Sequence, residues 1–422
     1  MPCSEKPFIR RISELGVAEG VAIDISFVKG EAKVTVGVLL CSFGIRVLLF
    51  PLQGYKIDLS TFSAWFYTAS EYGPRVFYEA AGWCDYSPFN VYVFWIFGSL
   101  AKWLSLFGTR YLVYALKFPS NLFDVATAFL IFIFLRRKLD FKSSLAAASF
   151  YAFNPATIFN TSVWGQYDAI YTFFLILSLI LILVSKPKLS VMTFTVGVLT
   201  KPQSIALAPL IAFLIARKHG WKGVVTSALV SAATILIVII PFKWSNPVDF
   251  LADIYLEGYG GYPYTSINAF NVWAFTGFWK SDAETFMFLD FFKIGWMMFG
   301  TLTTFSLYNL HKRLHNSQDL VLFSAFLLFF GFFMLPTRIH ERYLFPAFSL
   351  LTLTIPFLRE ARWIYGTLSF TYLFNQAYVL AFLNRNAYIS DGDPFVYAIT
   401  LVNLAAFFYS IFLIVKKGGA GS

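Results

Sequence analysis

Few side chains in this sequence can do chemistry, and they gather in a handful of short stretches. Asp58 opens residues 54–88, a polar, aromatic-rich stretch that ends in Asp85-Tyr86-Ser87-Pro88. A single carboxylate beside a hydroxyl can take its proton as that oxygen attacks. Glycoside hydrolysis needs two carboxylates because its leaving group must be protonated. A phosphate leaving group does not, so one base suffices there. Asp58 also fits a plainer role, as the cap of a helix over residues 59–70.

Asn154-Pro155 and Trp164-Gly165-Gln166-Tyr167-Asp168 mark a second polar turn. Trp164, Gln166 and Asp168 offer a stacking face, an amide and a carboxylate, a set suited to gripping a sugar. A tryptophan here equally suits a membrane interface. Lys201, in Thr200-Lys201-Pro202-Gln203, lies between two apolar segments too short to let it reach water easily; its natural partner is an anionic lipid phosphate, and its plain reading is a snorkelling lysine. Residues 336–343 hold Arg338, His340, Glu341 and Arg342. Arginine forks match phosphate oxygens, and two arginines four apart would share a face if this stretch were helical. His340 can donate to phosphate or sugar, and Glu341 can orient it or an arginine. The alternative is a knot of salt bridges. His340 and Glu341 are adjacent, not spaced i, i+4 as two ligands on one helix face, so no metal is expected, nor any other cofactor. Tyr262, closing Glu257-Gly258-Tyr259-Gly260-Gly261-Tyr262, reads as part of an aromatic flap over residues 242–284. No strand–turn–helix surrounds these glycines, so they are not a phosphate-binding fingerprint. Nothing resembles a nucleotide-binding domain, which argues against a nucleotide-sugar donor.

The elements that must position these residues are membrane helices. The 422 residues are 58% hydrophobic and 13% charged, where a soluble domain carries roughly 25%. Mean hydropathy is +0.65. Apolar runs recur from residue 34 to 415, and about 18 such residues can cross a bilayer. The runs are continuous rather than alternating, which excludes a barrel. An all-α polytopic membrane protein is expected. The net charge of +10 then reports orientation, because Lys and Arg collect in cytoplasmic loops. No basic stripe exists elsewhere, so nucleic acid is not an expected partner. Cys3, Cys41 and Cys84 suggest neither a disulfide framework nor a zinc site.

Residues 1–33 are expected to form a cytoplasmic tail without a cleavable signal, 34–415 one transmembrane domain, and 416–422 a short tail ending in an expression scar. Within the domain, 52–88 forms the first extracytoplasmic loop, helical in part, and 242–284 the flap. Arg46 should snorkel or face the interior. The segment 89–107 should be short, re-entrant or tilted; otherwise Arg136-Arg137-Lys138 would fall on the outer side. Two short helices should meet near 200–203 and point Lys201 inward, since non-helical backbone at such depth is tolerated only around a cavity. The count is about 12 crossings plus one irregular helix.

Asp58, Tyr86-Ser87-Pro88, the run NPATIFNTSVWGQYD at 154–168, the lysine of TKPQ and HERY at 340–343 occur in an order that resembles a known family. It is that of the GT-C-fold glycosyltransferases using polyprenyl- or dolichyl-phosphate sugars, most nearly its prokaryotic mannosyltransferase-like members. The resemblance runs from about residue 34 to 343. It implies inverting transfer of a hexose, more often mannose, by single displacement. The acceptor would be a hydroxyl of a lipid-linked glycan or glycolipid on the extracytoplasmic side. It implies Asp58 as base, with His340 and Lys201 or Arg338 near the donor phosphate. Arg342 joins that group by its chemistry, and Tyr86, Trp164, Gln166, Asp168, Glu341 and Tyr262 form the expected substrate contacts. The family's usual Tyr-Pro-Pro is Tyr86-Ser87-Pro88 here. The expected partners are the prenyl-linked donor, the acceptor and membrane lipids. The expected state is a monomer, in a prokaryotic cell membrane in preference to the endoplasmic reticulum. A transporter or flippase for lipid-linked sugars is the competing reading, but it would show related halves with midplane charges. A non-catalytic glycolipid-binding scaffold would make Asp58 dispensable.

Overall fold

Apolar segments without water must satisfy their own backbone, which makes them helices. The computed structural model describes residues 29–313 and 318–416; the parts of the expected tails at 1–28 and 417–422 lie outside the described residues. The chain opens with α1 (Lys29–Leu49), α2 (Lys56–Ala81), α3 (Pro88–Trp103), α4 (Leu112–Arg136), α5 (Phe141–Ala152) and the short α6 (Pro155–Ile158). Then come α7 (Asp168–Leu183), α8 (Pro187–Thr200), α9 (Ala208–Ile239) and α10 (Pro247–Gly260). The last are α11 (Phe291–Arg313), α12 (Gln318–Met334), α13 (Pro346–Thr354), α14 (Ala361–Leu383) and α15 (Pro394–Lys416). Contacts divide the chain into Met1–Val38 and Leu39–Ser422. In the first unit Thr35 Oγ1 donates to the Glu31 carbonyl, 2.9 Å away; the second carries everything that follows.

Among the described residues, four helical stretches are long and apolar enough to cross a membrane: Gly30–Leu49, Leu112–Arg136, Pro202–Ile239 and Pro394–Lys416. α7 and α12 are apolar but shorter. The chain is thus mostly helical, with the makings of a membrane protein. α3 has 16 residues, about 24 Å at 1.5 Å per residue, less than a bilayer core of roughly 30 Å. α12 is buried from Leu320 to Met334, as befits a helix that is apolar all round.

The expected outer loop is largely one helix. α2 runs for 26 residues and bends at Gly73 (φ 68°, ψ 177°) before Pro74, because proline lacks an N–H and disfavours helical geometry in the residue before it. Phe62, Trp65 and Phe66 on its buried face meet Phe94 of α3, and Phe62 lies 4.6 Å from the Tyr167 ring. This aromatic mass fixes α2 against the bundle.

Backbone breaks fall where the site will lie. α8 ends at Thr200; Lys201 is extended (φ −146°, ψ 130°), and a 3-10 turn covers Pro202–Leu207 before α9. The break expected around 200–203 is therefore present, and of the two helices meeting there α8 is short, while α9 runs on to Ile239. α9 is itself broken at Gly220. Among the described residues two small sheets join the helices: β1 (Ser266–Ile267) lies parallel to β4 (Ile339–His340), and β2 (Thr285–Phe286) is antiparallel to β3 (Leu289–Asp290). Arg46 faces the interior, fully buried, with its Nη2 2.7 Å from Asp124 Oδ2; Tyr151 donates to the other oxygen of Asp124.

Candidate functional site

Asp58 does not cap α2: Tyr55 holds the N-cap position, and Asp58 sits in the first turn, where the helix N-terminus favours negative charge. Its Oδ2 accepts two hydrogen bonds, from Trp164 Nε1 at 2.9 Å and Gln166 Nε2 at 2.7 Å. Both donors belong to a turn with unusual backbone. Residues Phe159–Trp164 form a π-helical turn that ends at Gly165 in a left-handed conformation (φ 89°), which glycine adopts without steric cost. The Asn160 carbonyl accepts from the N–H groups of both Gly165 and Gln166, at 3.1 and 2.9 Å. Gly54 passes so close that a Cβ there would collide with the Trp164 carbonyl. Asp58 and its platform are thus locked by main-chain contact.

Asp58 lines a cavity of about 500 Å³. Trp164 and Gln166 line it too, and His340, Glu341, Arg342 and Tyr262 close it from the other end of the chain. The β1–β4 pairing places this wall: Ile267 is in register with His340. Tyr262 meets the His340 ring edge-on at 5.3 Å. A second lobe of about 170 Å³ shares Asp85, Tyr86, Tyr262, His340 and Arg342 with the first, and extends to Lys201 and Arg338. An apolar groove of about 440 Å³, lined by Val198, Leu199, Ile235 and Leu251, shares Ile205 and Tyr255 with that second lobe.

The cations in this region already have carboxylate partners. Lys201 Nζ lies 2.8 Å from Asp168 Oδ1 and 5.4 Å from the Tyr86 ring centre. Arg338 forks onto Asp282, with Nε 2.7 Å from Oδ2 and Nη2 3.3 Å from Oδ1. Its backbone is left-handed (φ 63°), an uncommon state for arginine. Arg342 Nη1 donates to Glu341 Oε1 at 3.0 Å and lies 3.2 Å from His340 Nδ1. Its buried Nε has no partner among the described residues. Arg342 thus lines both lobes, with its guanidinium at their junction.

Several expectations need correction. Residues 338–343 are strand and turn, so Arg338 and Arg342 share no helix face and serve different carboxylates. Asp168 is fully buried and lines neither lobe; it holds Lys201 instead of facing a substrate. The polar ends of Trp164 and Gln166 bind Asp58, a role their sugar-gripping chemistry did not suggest. The expected flap at 242–284 contains α10, β1 and a 3-10 turn, Val272–Phe275. Two further residues belong to the site without having been assigned a part in it. Asp282, distant in sequence, neutralises Arg338. Asp85 lines both lobes, and its buried Oδ1 lacks a partner among the described residues. Its place in the Asp-Tyr-Ser-Pro turn, beside Tyr86, was the available signal.

Burial governs protonation here. It pushes the Asp85 carboxyl above its ordinary range against the pull of Arg342 and Lys201, and raises Glu341 against Arg342. Burial, with Arg342 and Lys201 adding to it, holds His340 well below the usual imidazole range, so at neutral pH His340 is an uncharged donor or acceptor. The arrangement offers one hydrogen-bonded carboxylate facing, across a cavity, a neutral imidazole and an arginine. That set can accept a proton at one end and bind an anion at the other. Comparison with protein-family models and with curated proteins finds no match for this chain.

Proposed function

We propose that this protein is a GT-C-type inverting glycosyltransferase with about 12 membrane crossings, moving a hexose from a polyprenyl- or dolichyl-phosphate donor to a hydroxyl of a lipid-linked glycan or glycolipid. Mannose is the sugar the sequence resemblance favours, and the reaction takes place on the extracytoplasmic side. The observation that carries this reading is that Asp58, near one end of the chain, and His340 and Arg342, near the other, line one cavity.

In this reading the prenyl tail occupies the apolar groove and its phosphate the smaller lobe. The sugar projects into the larger lobe toward Asp58. Asp58 takes the acceptor's hydroxyl proton; the acceptor oxygen bonds to the anomeric carbon from the face opposite the phosphate as the carbon–oxygen bond to phosphate breaks. The bonding pair leaves on the prenyl phosphate, whose growing charge is met by the Arg342 guanidinium and by His340, an electrostatic stabilisation set in place beforehand. Trp164 and Gln166 hold Asp58 in position. The test is to supply purified protein with a panel of prenyl-phosphate sugars and a membrane lipid extract and to identify products by mass spectrometry. A glycosylated lipid that forms with the parent protein and fails to form with Asp58→Asn supports the reading; no product from any donor refutes it.

A further inference from the structure

Lys117 sits in α4, within a stretch apolar enough to cross a membrane, and lines neither lobe of the cavity. It is fully buried, yet among the described residues no carboxylate forms an ion pair with it. Its Nζ instead donates to four main-chain carbonyls: Phe50 at 3.0 Å, Leu52 at 2.8 Å, Ser162 at 2.8 Å and Val163 at 2.9 Å. An ammonium group has three protons, so four acceptors cannot each receive a full hydrogen bond. What the cage fits is a positive charge at its centre. Four carbonyl dipoles converging on one point repel each other unless a cation lies between them, as in the carbonyl sites of ion channels.

The four carbonyls come from two segments. Phe50 and Leu52 precede Gly54 and the start of α2, which carries Asp58. Ser162 and Val163 precede Trp164 and Gln166, which hold Asp58. Two neighbours of Lys117 on α4 hydrogen-bond the second segment: Asn121 donates to the Thr161 carbonyl at 2.9 Å, and Ser120 to that of Gln166 at 2.5 Å; the first segment is met by the Tyr114 ring, 5.9 Å from that of Phe50. Gly165 is pressed against the lysine stem, so that a Cβ there would lie 3.2 Å from Lys117 Cε. We propose that Lys117 is a tethered cation filling a built-in main-chain cation site, and that it is the positioning residue that joins Asp58 to its platform.

The test is hydrogen exchange on the purified full chain, comparing the parent with Lys117→Ala, Lys117→Gln and Asn121→Ala. Losing the cation leaves buried carbonyls without partners, so Lys117→Ala should speed exchange about tenfold in residues 52–58 and 159–166 together. Asn121→Ala should affect only 159–166. Ammonium or methylammonium chloride should reverse the Lys117→Ala effect in a saturable way and leave the parent unchanged, while tetramethylammonium, which has no N–H, should do nothing. If Lys117→Ala does not fold, Lys117→Gln, with two donors for four carbonyls, should speed both segments by a smaller factor. Unchanged exchange in either segment, or equal recovery with tetramethylammonium, overturns the proposal. One further readout rests on the role proposed above for Asp58: Lys117→Gln should lower kcat for transfer and leave the donor KM unchanged. A fall in donor affinity instead would overturn the positioning role. Absence of transfer by the parent would sink the proposed function alone, because the exchange results judge the cation site independently.

Discussion

Replacing Asp58 with asparagine separates the proposed base from its framework. The side chains have the same shape, and an amide oxygen at the Oδ2 position can still accept from Trp164 and Gln166, now 2.9 and 2.7 Å away. A hydrogen bond to a charged acceptor contributes about 1.5–3 kcal/mol and a neutral one about 0.5–1.5, so the two bonds together lose about 2–3 kcal/mol. The backbone lock at Gly54 and Gly165 is untouched, and the variant should fold. A positioned base contributes about 10²–10⁴ in rate, or about 3–5 kcal/mol of barrier. Turnover should fall by that factor. Donor affinity should stay, because the phosphate would bind at the junction and in the smaller lobe, away from Asp58. The assay is product formation by mass spectrometry, with donor binding titrated separately by intrinsic tryptophan fluorescence. Turnover within about tenfold of the parent would remove Asp58 from the role of base. Donor binding lost in step with turnover would make Asp58 a binding group instead. Trp164→Phe and Gln166→Ala each remove one bond and keep the carboxylate, and should cost far less activity than Asp58→Asn.

The two arginines should differ. Arg342→Ala should raise the donor dissociation constant, whereas Arg338→Ala, whose fork is occupied by Asp282, should chiefly lower the melting temperature; donor titration and thermal unfolding of both variants decide this. Lys201→Met strands the buried Asp168 carboxylate and should destabilise by about 3–5 kcal/mol, while Lys201→Met combined with Asp168→Leu should recover most of that loss in a denaturant titration. His340 resists protonation when folded, so below about pH 6.5 the unfolded chain binds a proton that the folded chain refuses. Its contribution to stability is complete above that pH and falls by up to about 1.4 kcal/mol per unit as pH drops toward the folded value. His340→Gln should flatten the corresponding decline in melting temperature measured across pH 5–7.

Local features survived the passage from sequence to structure best. The apolar runs gave helices, the Lys-Pro pair at 201–202 gave the break between α8 and the 3-10 turn, and the Asn-Pro turn delivered Trp164 and Gln166 to one cavity with Asp58. What could not be read was pairing at a distance. Nothing near Arg338 indicates Asp282 as its counter-ion, and nothing near Asp168 directs it to Lys201 in preference to a substrate. The helix expected over 59–70 proves longer, running from Lys56 to Ala81 with a bend at Gly73-Pro74. Lys117 and Asp124 were legible in principle: charges inside an apolar segment are rarely idle, and both anchor interior networks. The segment around them nevertheless reads as an ordinary crossing.

Gly54 and the Trp164 carbonyl leave no room between them for even a methyl group. The closest approach of Asp58's segment to its platform is therefore bounded by two peptide chains in contact, the same two that the Lys117 ammonium draws together. The mouth of the same cavity is different: Trp83, Ile57 and Tyr388 are all more than half exposed there. Substitutions at that rim can alter which molecules gain admission without disturbing the carboxylate. Descendants of this chain are free to change clientele while the core geometry is inherited intact.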